Sequence, residues 1–245
     1  MSNSGEQRQA HIVTDLESRA VKAEKIIRLL DTRVSLQGSH VLEVGCGTGV
    51  LSSRLGAEVG SEGSACAVDK VDERQVTDGY RFSQVAGTTL PYGDAAFDIV
   101  ISNHVIEHVG EAQDQLRHLT ELERVLAPAG LVYLAGPHRW QLVEPHYRLP
   151  FLGWFPQRVA DTYLRLTGRG SWYDVCPPSR RSTRSMAAEV GLDIEEVTGE
   201  VAWLMVGLEG GRGIRRVAFW VAARMIRLLP GLSSTQVLLL RSRPG

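Results

Sequence analysis

The chain has 245 residues, 43% of them hydrophobic, enough to bury one substantial core or a core with a small lobe, and nothing demands two full domains. Its formal charge of −1 hides an asymmetry, because residues 200–245 hold seven Arg against two Glu and leave an acidic body with a basic tail. A slightly acidic chain without a recognition motif argues against a nucleic-acid partner.

Three scattered cysteines, Cys46, Cys66 and Cys176, form no C-x-x-C pair and no disulfide framework, so a reducing, cytoplasmic setting is expected. Met1–Ala10 is polar and reads as no signal peptide. The apolar run from Val217 to Ala223 is bracketed by Arg216 and Arg224 and falls far short of the roughly 20 residues of a membrane helix.

In chain order, Leu16, Ala20, Ala23, Ile27 and Leu30 recur at three- and four-residue steps, which predicts an amphipathic helix over 14–31. A strand over 40–44 then runs into Val-Leu-Glu-Val-Gly-Cys-Gly-Thr-Gly at 41–49. Glycines after a strand permit a tight turn and let backbone N–H groups approach a ligand. A dinucleotide fingerprint would place its third glycine at position 50, where this chain has Val50, so a nicotinamide dehydrogenase is disfavoured. A helix over 49–58, strands over 65–69 and 97–102 with a short segment near 82–85 between them, a helix over 111–126 and a strand over 130–135 follow. Such alternation predicts a parallel sheet with helices on both faces. Gly191 caps a further helix, and strands are expected at 192–197 and 236–241. Residues 136–178 and 201–234 lie outside this scheme.

Glu43, Gly45, Gly47 and Gly49 resemble motif I (E-x-G-x-G-x-G) of the class I S-adenosylmethionine-dependent methyltransferases. Asp69 ends the next strand, Leu90–Val100 is similar to the family's L-P-F-x-x-x-x-F-D-x-V, and Leu122–Gly130 resembles the helix and turn leading into its fifth strand. The resemblance covers roughly 40–135. It implies an α/β fold: a Rossmann-like, doubly wound, seven-stranded sheet, mostly parallel with an antiparallel last strand. The chain then divides as a single domain, 1–245, with an N-terminal helical cap at 1–38, a cofactor-binding core at 39–135, a substrate lid at 136–178 and a basic helical insertion at 201–234.

The resemblance also implies S-adenosyl-L-methionine as cofactor. Backbone groups of Gly45, Cys46, Gly47 and Gly49 would face its carboxylate and Glu43 its ammonium. Asp69 would accept from the ribose diol, and Asn103 and His104 would touch the methionine part. The adenine pocket departs from the family, since Ala86 stands where relatives carry a carboxylate, leaving Gly87 and Thr88 to read the base edge. That departure keeps a catalytically degenerate binding module open as the alternative.

His108 is a candidate general base, with an ordinary pKa near ~6.5 suited to proton abstraction at neutral pH. His104-x-x-Glu107-His108 spells a zinc-protease signature, but it leaves a strand rather than sitting on a long helix. It partly resembles the E-x-x-E-H metal site of some O-methyltransferases, with His104 in place of the first carboxylate, and no metal is expected. Glu144-Pro145-His146-Tyr147-Arg148-Leu149-Pro150 looks like a stretch of some bacterial methyltransferases, and makes His146 a second candidate base. Arg139, Trp140, Tyr147 and Arg148 are candidate acceptor-binding residues, offering aromatic faces and anion clamps. The expected acceptor is a small molecule, lipid-linked headgroup or glycan, methylated at oxygen. The basic, aromatic stretch 212–229 suggests peripheral contact with an anionic bilayer.

Overall fold

The computed structural model describes residues 16–144, 146–209 and 214–243. The readings placed on Met1–Ala10, residues 14 and 15, Pro145 and Arg212 fall outside them, as do the side chains of Arg215 and Arg216.

Helix α1 (Leu16–Asp31) precedes strand β1 (His40–Val44), helix α2 (Val50–Val59), β2 (Ser64–Asp69), β3 (Arg81–Gln84) and β4 (Phe97–Asn103). Helix α3 (Ala112–Val125) leads into β5 (Leu126–Pro137). A small hairpin, β6 (Val143–Glu144) and β7 (Leu149–Pro150), and helix α4 (Gln157–Leu166) then build the lid. Helix α5 (Arg180–Glu189), β8 (Leu192–Glu196), the helix pair α6 (Thr198–Glu209) and α7 (Ile214–Leu228), and β9 (Thr235–Ser242) complete the chain.

The seven-stranded sheet has the order β3-β2-β1-β4-β5-β9-β8. Its first five strands are parallel, and β9 runs antiparallel between β5 and β8, pairing Val132 with Leu240 and Ile194 with Leu240 from the other side. Helices cover both faces, so the central strands bury both sets of side chains and read as nearly continuous apolar runs. On β4, Ile99 and Ile101 join one core with Leu29, Leu30 and Leu55 of α1 and α2. Val100, between them, joins the opposite core with Leu119 and Leu122 of α3. The strand period of two thus splits one tripeptide between two hydrophobic layers.

One departure from the predicted boundaries lies at β5. Leu126 already pairs with Phe97, and the register then shifts so that Leu131 pairs with Ile99. Residues 127–130 bulge from the ladder as a result. Gly130 suits the bend because a Cβ there would stand 2.6 Å from Leu126 and 2.8 Å from the Asp98 carbonyl.

The lid has its own cluster, in which Leu149, Leu152, Ala160, Leu164, Tyr173 and Val175 are buried with Tyr147. Residues 136–178, too irregular to assign from sequence, are therefore a packed unit over one end of the sheet rather than a loose loop.

Candidate active site

The glycine turn sits where β1 ends and α2 begins. Gly45 and Gly49 have φ of +79° and +80°, in the left-handed region that disfavours a side chain. At both positions space as well as φ excludes a Cβ, which would run into Val105 at Gly45 and into the Tyr80 hydroxyl and Val76 carbonyl at Gly49. The backbone of Gly45 is therefore free to lie against the segment that leaves β4. Arg19 of α1 reaches the same turn, its Nη1 standing 3.7 Å from where a Gly47 Cβ would be. The side chain of Arg19 thus lies beside the glycine turn.

Glu43 is buried at 5% exposure and accepts a hydrogen bond from the Ser52 hydroxyl. Burial, with a smaller push from the Asp69 charge, raises its pKa to about 8. The Glu43 carboxyl therefore holds a proton at neutral pH until a cation arrives. Asp69, half-buried at the end of β2, accepts from the Gly47 N–H at 2.8 Å and the Lys70 N–H at 2.7 Å. Each carboxylate oxygen keeps further lone-pair capacity for a diol. Cys46 is buried and its thiol pKa is pushed up by desolvation, so it stays a neutral wall of the turn.

These groups fit the adenosyl cofactor implied above: a carboxyl for an ammonium, amides at a helix start for a carboxylate, and an acid at the next strand end for a ribose. Gly87 is exposed with open space beside it and Thr88 is half-buried, while Ala86 offers no side-chain acceptor.

Asn103 is the half-buried last residue of β4. His104 follows with φ of +59°, a conformation that strains a residue with a Cβ. Its N–H is tied to the Ala135 carbonyl at 2.8 Å, and its Nδ1 lies 3.2 Å from Glu107 Oε1. A single 3₁₀ turn, Ile106–His108, then buries Glu107 to 1% exposure. Among the described residues Glu107 Oε2 has no hydrogen-bond partner, and it faces Gly136, where a Cβ would stand 3.0 Å away. Burial opposes the Glu107 charge, yet the His104 hydrogen bond and the nearby imidazoles outweigh it and hold its pKa below the ordinary carboxylate value.

His108 meets His146 of the β6–β7 hairpin edge to face, with ring centroids 5.1 Å apart. His146 Nδ1 lies 2.7 Å from Oε1 of fully buried Glu144, whose Oε2 accepts from the Tyr147 N–H at 2.7 Å. Desolvation lowers the pKa of His108. Desolvation also acts on His146, but the bond and charge of Glu144 overcome it and raise that pKa. Two imidazoles side by side are thus poised on opposite sides of their ordinary value. Ligand atoms of Glu107, His108 and His146 all lie within 4.8 Å of one another, so the cluster could hold a metal as well as a proton.

The structure brings His108 and His146 together from the turn after β4 and the β6–β7 hairpin, which are far apart in the chain. Arg139 and Trp140 are exposed on the lid, the guanidinium 5.6 Å from the indole centroid, and Arg148 is exposed with φ of +53°. Tyr147 departs from its expected acceptor-binding role. It is buried at 7%, and its hydroxyl donates to Asp174 Oδ1 at 2.6 Å, so it packs and anchors the lid. Glu144 and Ser52 were absent from the sequence-derived candidates, although Glu144 lay inside the quoted lid stretch. Only the fold shows their partners.

Helices α6 and α7 pack as a pair, with Trp203 and Trp220 at 6.1 Å and Arg224 lying 5.7 Å from the Trp220 ring. Val217, Phe219, Trp220, Val221, Met225 and Leu228 are exposed on α7. No described helix is long and apolar enough to cross a membrane.

Residues 42–134 match the family model described as "Methyltransferase domain". A ubiquinone biosynthesis O-methyltransferase of Rhizobium rhizogenes is 30% identical over 171 residues, covering 67% of this chain and 64% of that protein. One from Caulobacter sp. is 32% identical over 177 residues, covering 57% of this chain and 69% of its own length. A Cereibacter sphaeroides relative of the same name is matched over only 49% of its length, so the chain spans from about half to just over two thirds of the length of these relatives. Among solved structures, a SAM-dependent methyltransferase from Aquifex aeolicus shares 16% identity at a TM-score of 0.53, covering 80% of this chain and 91% of that one. One from Methanosarcina mazei shares 14% at 0.54, covering 89% and 98%. At these identities the structural likeness bears on fold alone.

Proposed function

The chain belongs to the class I S-adenosylmethionine-dependent methyltransferases, and from that premise we propose that it methylates an oxygen of a small-molecule acceptor held under the aromatic lid. The observation that carries the reading is the imidazole–carboxyl cluster of Glu107, His108 and His146, the first two of which lie on the segment whose Val105 stands where a Gly45 Cβ would be. Hydroxyl acceptors differ from amines in needing a proton removed before or during transfer.

S-adenosylmethionine, when bound, supplies a methyl group activated by a sulfonium that departs as a neutral thioether. Glu43, the amides of residues 45–49 and Asp69 would hold it, with Gly87 and Thr88 at the base edge and Asn103 and His104 at the methionine end. Positioning then supplies most of the rate enhancement, because alignment of donor and acceptor converts a two-body encounter into a near-attack geometry. The acceptor hydroxyl gives its proton to the imidazole pair, of which neutral His108 is the readier receiver. Its oxygen forms the new bond to the methyl carbon while the S–C electrons stay on sulfur.

A lipid-linked or glycan acceptor is the finer form of the proposal. Exposed Trp140 and the Arg139 and Arg148 side chains offer stacking and anion-clamping groups on the lid. The apolar, Arg-bearing face of α7 suits the surface of an anionic bilayer from which such an acceptor would come. A second reading, a cofactor-binding module without turnover, draws on Ala86, which leaves the base edge without a carboxylate.

Incubation with deuteromethyl cofactor and fractionated extracts, followed by mass spectrometry of soluble and lipid pools, tests the proposal. A labelled product is expected. Cofactor binding without label in any pool would favour the binding module. If removal of residues 214–229 leaves vesicle binding unchanged, the bilayer contact is wrong.

A further inference from the structure

We propose that Glu107, His108 and His146 form a divalent transition-metal site that ties the lid to the sheet. Their ligand atoms lie within 4.8 Å of one another, and two come from the turn after β4 while the third comes from the lid hairpin. Two imidazoles and one carboxylate are a donor set suited to Zn²⁺, Mn²⁺, Fe²⁺ or Co²⁺.

Three further features point the same way. Glu107 Oε2 is buried without a hydrogen-bond partner among the described residues, a costly state for a carboxylate that a cation would relieve. His104, held at φ +59°, bonds the other oxygen of the same carboxylate and so fixes its rotation. Fully buried Glu144 engages Nδ1 of His146 at 2.7 Å and so fixes the orientation of that ring. A carboxylate behind a ligand histidine is the usual means by which proteins orient that ring and strengthen it as a donor. The set is not the contiguous run His104–His108, because His104 supports Glu107 and the third ligand is supplied by the lid.

Tetrahedral donors at zinc bond lengths sit roughly 3.3–3.6 Å apart, so occupancy would draw His146 inward by about an ångström. Metal binding therefore closes the lid. The role of the ion in catalysis rests on the methyl-transfer reading, whereas its binding does not. With the ion bound the two imidazoles are ligands and no longer receive the proton; an acceptor hydroxyl coordinated at an open position would instead lose its proton to water at lower pH, and its oxygen would then form the bond to the methyl carbon as the S–C bond breaks toward sulfur.

The test uses the full chain, stripped with a chelator and titrated with Co²⁺ by visible absorption and with Zn²⁺ by calorimetry. One equivalent is expected to bind, with hydrogen exchange slowing in residues 143–150. Glu107→Gln and His146→Ala should each weaken binding at least tenfold, and Glu144→Gln about tenfold. His40→Ala, at the exposed start of β1, should bind as the wild type does. Circular dichroism checks that each variant folds, and His146→Gln serves if the alanine variant does not. Absence of saturable uptake by the wild type, or equal affinity in the His146 variants, overturns the site. Deuteromethyl transfer that survives stripping overturns the catalytic role of the ion and leaves the methyltransferase reading standing. Specific binding with no transfer to any acceptor pool overturns that reading and leaves the site standing.

Discussion

Gly49→Ala should be among the most damaging single-methyl additions in the chain. Gly49 caps α2 at φ +80° and ψ 1°, a left-handed conformation that costs a residue with a Cβ about 1–2 kcal/mol. The new methyl would also drive into the Tyr80 hydroxyl and the Val76 carbonyl, which are joined to each other by a 2.6 Å hydrogen bond. That pair cannot simply step aside, since the Val76 and Gln75 N–H groups are both held by the Thr48 carbonyl at 3.0 Å. Overpacking of this kind costs about 1–3 kcal/mol. Reduced freedom of the unfolded chain returns roughly 0.4–1 kcal/mol. The net loss is about 2–4 kcal/mol, which for a chain of this size lowers Tm by roughly 5–15 °C.

Two companion variants separate the causes. Gly47 has φ of +50° but its nearest obstacle, Arg19 Nη1, is 3.7 Å away, so Gly47→Ala carries backbone strain alone, about 1 kcal/mol. Gly87 has neither a positive φ nor an atom within 4 Å, so Gly87→Ala should melt with the wild type. Scanning calorimetry of the three ranks them 49, 47, 87. A Gly49→Ala protein that melts no lower than Gly47→Ala would refute the argument from space.

Four other outcomes follow from the site and the core. Glu43, with its pKa raised to about 8, keeps in the folded state a proton that the unfolded chain releases near ~4.3. Its contribution to stability is thus present at low pH and lost as pH rises toward 8, and denaturant titrations should show Glu43→Gln flattening that slope. Cofactor binding should release a proton at pH 7, seen as a dependence of calorimetric heat on buffer ionisation enthalpy that Glu43→Gln abolishes. His118 has the opposite sign: fully buried beside Ser102, with a folded pKa of about 4, it supports stability above ~6.5 that is lost as pH falls through 4. Acid titration of His118→Gln should show a shallower loss across that window. Leu119→Ala, at 0% exposure between α3 and the sheet, should cost about 2–5 kcal/mol by urea denaturation without altering cofactor affinity.

Most of the sheet was readable because its information is local. Apolar runs at 40–44, 65–69 and 97–102 bounded by turn residues specify buried parallel strands, and the glycine spacing at 45–49 specifies the turn by steric exclusion. The meeting of Glu43, Gly45, Gly47, Gly49 and Asp69 was legible for the same reason: they lie at or just beyond the ends of two adjacent strands whose pairing follows from the alternation of elements. The bulge at 127–130 was not, since register depends on which residue of β4 lies opposite.

The acceptor end depended on distant chain segments. His108 and His146 both stood out as proton-transfer candidates, but nothing in their separation says that their rings meet or that Glu107 lies between turn and lid. Tyr147, one residue from His146, turns the other way into the lid core, because the hairpin needs an apolar anchor and Asp174 takes its hydroxyl. Glu144 reveals its purpose only when the fold buries it and leaves His146 Nδ1 and the Tyr147 N–H as its partners. Periodicity and turn chemistry, which act over a few residues, determined the scaffold and the cofactor end. The convergence of β4 and the lid, which requires both hydrophobic layers to be packed first, decided where a proton or a metal can be held.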